Sequence, residues 1–350
     1  MTTPLRLSVL DLIPVRSNQT SADALAATTA LAQRADALGF SRYWVAEHHN
    51  MKAVASTNPA VLIGILAAQT KNIRLGSGGV MLPNHAPLVV AEQFAILEAA
   101  FPGRIDLGIG RAPGSDPVIT SYLRMTGTTS DVDAFPRNVS DIRSLMNPEG
   151  ATLQLQQGRT YELTATPNAA SVADLWLLGS SDYSARLAAS QGMPYVFAHH
   201  FSGEGTARIL GLYRDNFVPS EQQKAPKTFL TVNVAVAETA ADARAAALPQ
   251  LQQMARLLSG MPLGPLATIE EAAAAELAAP QQQMVDDMAE RWVIDEPVAA
   301  AARIRSLATR FGVDEVMVVP GLSAHAADAA NTSPVRVRAL ELLAKHLIAG

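Results

Sequence analysis

Not one cysteine occurs in the 350 residues of this chain, which excludes disulfides, thiolate metal sites and cysteine nucleophiles together. Charge is sparse as well: 17% of residues are charged, the net charge is -5, and the 27 Lys and Arg residues form no cluster. Binding nucleic acid requires a basic surface to meet phosphates, so nucleic acid is not an expected partner. No uninterrupted apolar run reaches the ~18 residues of a membrane span. Nothing near the start reads as a charged-then-apolar leader, so the expectation is a soluble, cytoplasmic protein with no membrane partner.

What the chain does have is apolar material, 49% of its residues, enough for a sizeable core. Runs rich in Leu, Val and Ile alternate with helical stretches, the pattern of a parallel sheet covered by helices. Eight strands are expected, at about Leu5 to Ile13, Arg42 to Ala46, Ile73 to Leu82, Ile105 to Gly110, Leu175 to Gly179, Tyr195 to His199, Phe229 to Ala237 and Glu315 to Val319. That count predicts the α/β class and a (β/α)8 TIM barrel, one domain over residues 1–350. Insertions follow strands 4 and 7, at about 115–173 and 238–294; the first carries a polar stretch, "LQLQQGRTYELTATPNAA", with the look of a small hairpin. Long excursions of this kind are often active-site lids, although Glu270 to Ala279 reads equally well as Ala-rich helical padding.

Helix boundaries are marked by caps. Ser21 is the expected cap of a helix ending at Gly39, and Asn58-Pro59 opens another. The segments "AVLIGILAAQ" and "LVVAEQFAILEAA" are apolar nearly all round, so both faces should be covered, one by the barrel and the other by a second copy in a homodimer or, in the plainer alternative, by an insertion.

In such a barrel, polar residues that end apolar strands face the substrate. "YWVAEHHN" ends a strand with Glu47, His48 and His49; Asn84 and His85 follow strand 3, Arg111 strand 4, Ser180 and Ser181 strand 5, and His199 and His200 strand 6. Five of the seven histidines thus fall on one rim, more than neutral loop histidines would supply. In "LLGSSDYSARLAA" a strand runs into a helix through Gly179, Ser180 and Ser181, where free N–H groups and the helix dipole favour an anion; Ser181 merely capping its helix is the plainer alternative. Arg111 adds a planar fork of donors, and together these residues point to a phosphorylated cofactor. Gly108-Ile109-Gly110 lacks the third glycine of a dinucleotide fingerprint. Gly78 and Gly79 interrupt a strand, which marks either a bulge or close approach of a flat ring.

The blocks "GFSRYWVAEHHN", "IRLGSGGVMLPNHAPLVVAEQFAILEAAFPGRIDLGIGR", "WLLGSSDYSARLAASQGMPYVFA" and "GVDEVMVV" closely resemble the bacterial luciferase-like flavin monooxygenases. The resemblance runs from Leu5 to about His200 and returns near Pro297 to Val319. It implies reduced FMN, or in one branch a deazaflavin, bound in a commonly dimeric barrel. It implies a catalytic role for His48, with Glu47 beside it at the flavin site. Gly78-Gly79 matches a non-proline cis peptide beneath the flavin ring; Arg111 and the turn from Gly179 through Ser180, Ser181 and Tyr183 match the flavin phosphate site. Three positions depart from luciferase itself: Gly110 stands where it has cysteine, Gly179 where it has glutamate, and His199-His200 where it has Ser-Trp. A long-chain aldehyde substrate and light emission are therefore not implied.

The expected function is oxygenation of a small organic substrate with molecular oxygen and reduced FMN, delivered by a separate NAD(P)H-dependent flavin reductase. His48 is the expected acid/base, oriented or raised in pKa by Glu47. A deazaflavin-dependent dehydrogenase and a non-catalytic flavin-binding protein are the alternatives. A metal-dependent hydrolase would carry a His-x-His pair on strand 1, which reads "LSVLDLIPV" instead.

Overall fold

A computed structural model describes residues 5–126, 131–261 and 263–348. Part of the first excursion, 127–130, lies outside the described residues. Eight parallel strands close on one another: β1 (Arg6–Asp11), β2 (Arg42–Val45), β3 (Arg74–Ser77), β4 (Ile105–Gly110), β5 (Asp174–Gly179), β6 (Tyr195–Phe197), β7 (Thr228–Val236) and β8 (Glu315–Pro320). Each pairs with the next in sequence, and β8 returns to β1 with Arg6 opposite Glu315, which completes the expected (β/α)8 barrel.

The strands are buried almost throughout because helices cover the outside while side chains fill the inside. Alternation along each strand stacks the interior in layers. At the amino end, Arg42 pairs with Asp106 at 2.6 Å and Glu315 at 2.8 Å, Arg74 pairs with Asp106 at 2.6 Å, and Ser8 donates to Glu315 at 2.6 Å. Two residues further along β1, β2 and β8 come Leu10, Trp44 and Met317, joined by Trp176 of β5 and Phe229 of β7, with the Trp44, Trp176 and Phe229 rings 5.1 to 5.9 Å apart. Trp44 fits because β3 carries no side chain at Gly76, where a Cβ would lie 2.5 Å from the indole nitrogen. An ionic floor and an aromatic layer thus close one end, and the interior can open only at the carboxyl end.

Several boundaries differ from expectation. Strand 3 stops at Ser77; after Gly78 and Gly79 the chain resumes as Val80–Met81, now paired with Ile109 and Gly110 of β4. β6 ends at Phe197, and His199–Ser202 is a helical turn. Thr20, not Ser21, caps the first helix, in a capping box with Asp23. The first excursion contains helices Pro117–Thr126 and Phe135–Met146 and the expected hairpin, Ala151–Gln154 against Thr160–Leu163. The second holds helices Ala240–Leu258, Ile269–Ala274 and Ala279–Arg291 and a strand, Val293–Asp295, added to β7. No helix among the described residues is long and apolar enough to cross a membrane.

Candidate active site

Above the aromatic layer lies a cavity of about 530 Å³. His48, Gly78, Gly79, Arg111, Gly179, Ser180 and Ser181 all line it, so residues from four strand ends meet in one space. His200 lines it as well. Tyr183 stands just outside: its ring lies beneath the Arg111 guanidinium, 4.1 Å from ring centre to carbon.

The anion-binding expectation acquires specific geometry. Helix Asp182–Ser190 begins at Ser181, whose hydroxyl makes no capping hydrogen bond, so that side chain satisfies none of the first-turn N–H groups. Asp182, the acid nearest that terminus, is occupied by Arg208 through two contacts of 2.7 Å. Arg111 forms no ion pair among the described residues and has the Tyr183 ring as its support. Unspent donors and an unpaired cation are what a phosphate group requires. Gly179 must lack a side chain, because a Cβ there would sit 2.7 Å from Ser184.

The peptide between Gly78 and Gly79 is cis, as the resemblance implied. A Cβ on Gly78 would come within 2.7 Å of Leu10, and one on Gly79 within 2.6 Å of Leu178 and 2.7 Å of the Gly108 carbonyl. This stretch therefore presents bare backbone to the cavity, a surface suited to a flat ring.

His48 is anchored through its backbone, whose N–H donates to the Ser56 carbonyl at 2.9 Å while Ser56 Oγ donates to Ala46 O at 2.6 Å. Its Nδ1 is buried with no hydrogen-bond partner. Burial lowers the imidazole pKa, and the Gly114 backbone and the Glu47 charge offset this only in part.

Glu47 does not do what was expected of it. Fully buried, its carboxylate accepts from His49 Nε2 at 2.8 Å, His85 Nε2 at 2.9 Å, the Met81 N–H at 2.9 Å and Asn84 Nδ2 at 3.3 Å, and it makes no hydrogen bond to His48. Burial would raise its pKa, but the bonds from His49 and His85 prevail and hold it near 2. Glu47 neither orients His48 directly nor raises its pKa above the ordinary value. It ties the loop after β2 to the loop after β3, and so places the backbone from which His48 projects.

Some of the cavity wall was not foreseen. Thr231 and Asn233 on β7 line it, as do Gln250, Met254, Met288 and Trp292 from the second excursion. Two polar residues at alternate positions of the apolar run "FLTVNVAV" were the available signal for the first pair. For the excursion no motif was available.

Comparison with known proteins identifies the relatives of this arrangement. A family model described as luciferase-like monooxygenase matches residues 5–315. A luciferase-like monooxygenase of Escherichia coli (strain K12) is 43% identical over 241 residues, 68% of this chain and 69% of that protein. An N-acetyl-S-alkylcysteine monooxygenase of Bacillus subtilis (strain 168) is 40% identical over 200 residues, 57% of this chain and 58% of that protein. The crystal structure of apo-MsnO8 superposes with a TM-score of 0.85 at 32% identity, covering 99% of each chain.

Proposed function

Because the chain belongs to the luciferase-like monooxygenase family and is thereby an oxidoreductase, we propose that it uses reduced FMN and molecular oxygen to oxygenate a small organic substrate. In this reading a separate NAD(P)H-dependent reductase supplies the reduced flavin and the enzyme works as a cytoplasmic homodimer. The observation that carries it is the convergence of an unpaired Arg111, the uncapped helix at Ser181, the bare Gly78-Gly79 backbone and His48 on one cavity. Arg111, Ser180, Ser181 and the helix N-terminus would hold the phosphate, and Gly78-Gly79 would support the ring. When bound, the flavin supplies the oxygen activation. The chain contributes orientation, an apolar enclosure that keeps water away, and His48, whose depressed pKa leaves it neutral and able to accept a proton from the substrate. Gly108-Ile109-Gly110 lies inside β4, away from any strand-to-helix turn, and so does not form a dinucleotide fingerprint.

The test pairs two measurements. Reduced FMN should bind more tightly than a reduced deazaflavin. With FMN, NADH and a flavin reductase, label from isotopically heavy oxygen gas should appear in a small molecule of a metabolite extract only when the protein is added. Tighter deazaflavin binding would shift the reading to a dehydrogenase on the same barrel, and absence of label would remove the oxygenase reading.

A further inference from the structure

His200 lies in the same cavity, yet the flavin and His48 leave it without a task. Its Nδ1 is 2.8 Å from Thr231 Oγ1, and that hydroxyl donates its one proton to the Phe197 carbonyl at 3.2 Å. With the hydroxyl proton placed on the Phe197 carbonyl, the ring is the donor at Nδ1, the tautomer that leaves Nε2 with a lone pair in the neutral form. Asn233 fixes the backbone beneath it, Nδ2 donating to His200 O at 2.6 Å, and the Phe201 ring packs against the imidazole with centroids 4.4 Å apart. Nε2 itself meets no partner among the described residues and is not sealed off, since the ring borders the cavity. Burial, reinforced by His199 and His48, holds the pKa near 4, so the ring stays neutral at physiological pH.

Position gives this acceptor its meaning. β2 and β6 are four strands apart in either direction round the closed circuit of eight, so His48 and His200 stand on opposite sides of the mouth. The Gly78 backbone, Arg111 and Ser180 occupy the strand ends on one side between them. The remaining wall is mostly apolar, with Met254, Met288, Trp292, Met317 and Leu322, and Gln250 and Gln253 are the polar side chains that the second excursion adds to it.

We propose that His200 is the residue that reads the substrate: its Nε2 accepts a hydrogen bond from a hydroxyl or N–H group on an otherwise apolar molecule and turns the opposite end of that molecule toward His48. The assignment rests on the cavity being the substrate site, as in the function proposed above. It gives the substrate class as small, apolar and carrying one uncharged donor. An acceptor that a bound molecule strips of water and leaves unpaired is costly, so a molecule lacking the donor should be discriminated against.

The experiment uses para-propylphenol and its methyl ether, probes that differ in the donor, titrated calorimetrically into the full-length protein. The phenol should bind about tenfold more tightly than the ether, the value of one hydrogen bond in a buried site. His200→Leu should bind the two equally, with ether affinity within about twofold of wild type, and His200→Gln, which restores an acceptor, should recover part of the preference. A wild type that binds both alike or neither, or a preference that survives in His200→Leu, overturns the proposal. Reduced-FMN binding is measured separately on the same proteins and should be unchanged in both variants. Loss of FMN binding in the wild type would remove the proposed function and still leave the probe comparison to decide the role of His200.

Discussion

At the scale of single residues, the histidine-rich rim was readable because five imidazoles stood where apolar strands end. What each imidazole does was not readable, since the adjacent letters Glu47, His48 and His49 say nothing about which side chains meet. Glu47 turns away from its neighbour in sequence and toward His85, 38 positions on, a pairing that only barrel closure creates. His48 is left with an orphaned Nδ1 and a burial-lowered pKa, properties of a base waiting for a proton. His48→Ala is therefore expected to lower turnover by roughly 10² or more with FMN affinity nearly unchanged. The sign of the pH dependence follows from the same shift. Because the pKa lies below the ordinary 6.5, the active neutral form persists at pH 7, and kcat/KM of the wild type should fall only as pH drops below about 6.5. The variant should lose that acidic limb. Equal turnover in the two proteins, or a limb that persists without the imidazole, would remove His48 from the reaction.

At the scale of elements, the strands were legible because each is a short apolar run between turn signals, and the helices because Pro and Gly mark their ends. Strand 3 was misjudged at its end, since apolar content alone carries the reading through Gly78-Gly79 to Leu82. Backbone pairing decides otherwise: Val80 and Met81 shift to β4, and the glycine pair becomes a bare surface facing the cavity. Thr20 prevailed over Ser21 as the cap because only Thr20 is three residues before Asp23, the spacing a reciprocal capping box needs. The junction of β5 with helix Asp182–Ser190 reads from sequence as an anion site, and the structure adds that Ser181 makes no side-chain cap and that Asp182 is paired with Arg208. If Arg111 and this helix hold a phosphate, Arg111→Ala should weaken FMN binding by roughly 10- to 100-fold, the range of a charged hydrogen bond in a partly buried site. Riboflavin, which lacks the phosphate, should bind wild type and variant alike. An equal loss for both flavins would mean that Arg111 acts by shaping the pocket.

At the scale of the whole molecule, closure of eight strands determines which end can react. The amino end is filled by ion pairs around Asp106 and Glu315 and then by the rings of Trp44, Trp176 and Phe229, so the strand-end residues His48, Arg111, Ser180, Ser181 and His200 share one mouth at the carboxyl end. Arg42, Arg74, Asp106 and Glu315 are charges within apolar strands; sequence shows that they are anomalous there but not that they neutralise one another, because their strands are distant in the chain. The outer surface carries the remaining question. Helices Pro59–Gln69 and Pro87–Ala100 pack together, yet Val61, Ile65, Val89 and Ile96 remain 58%, 45%, 47% and 54% exposed. Isolated apolar residues on a surface need no explanation, but these four share two adjoining helices that are apolar nearly all round. Among the described residues neither excursion covers them, which favours a second copy of the chain over an insertion as the cover. A two-fold axis would juxtapose the same patch on both copies, so one added charge per chain enters the interface twice. Val61→Glu combined with Ile96→Lys should therefore give a monomer in analytical ultracentrifugation, where the wild type is expected to sediment as a dimer at micromolar concentration. Because the four side chains already face solvent within one chain, the monomer should keep its helical signal and its FMN affinity. A wild type that sediments as a monomer, or a doubly substituted protein that remains dimeric, would place any subunit contact on another face.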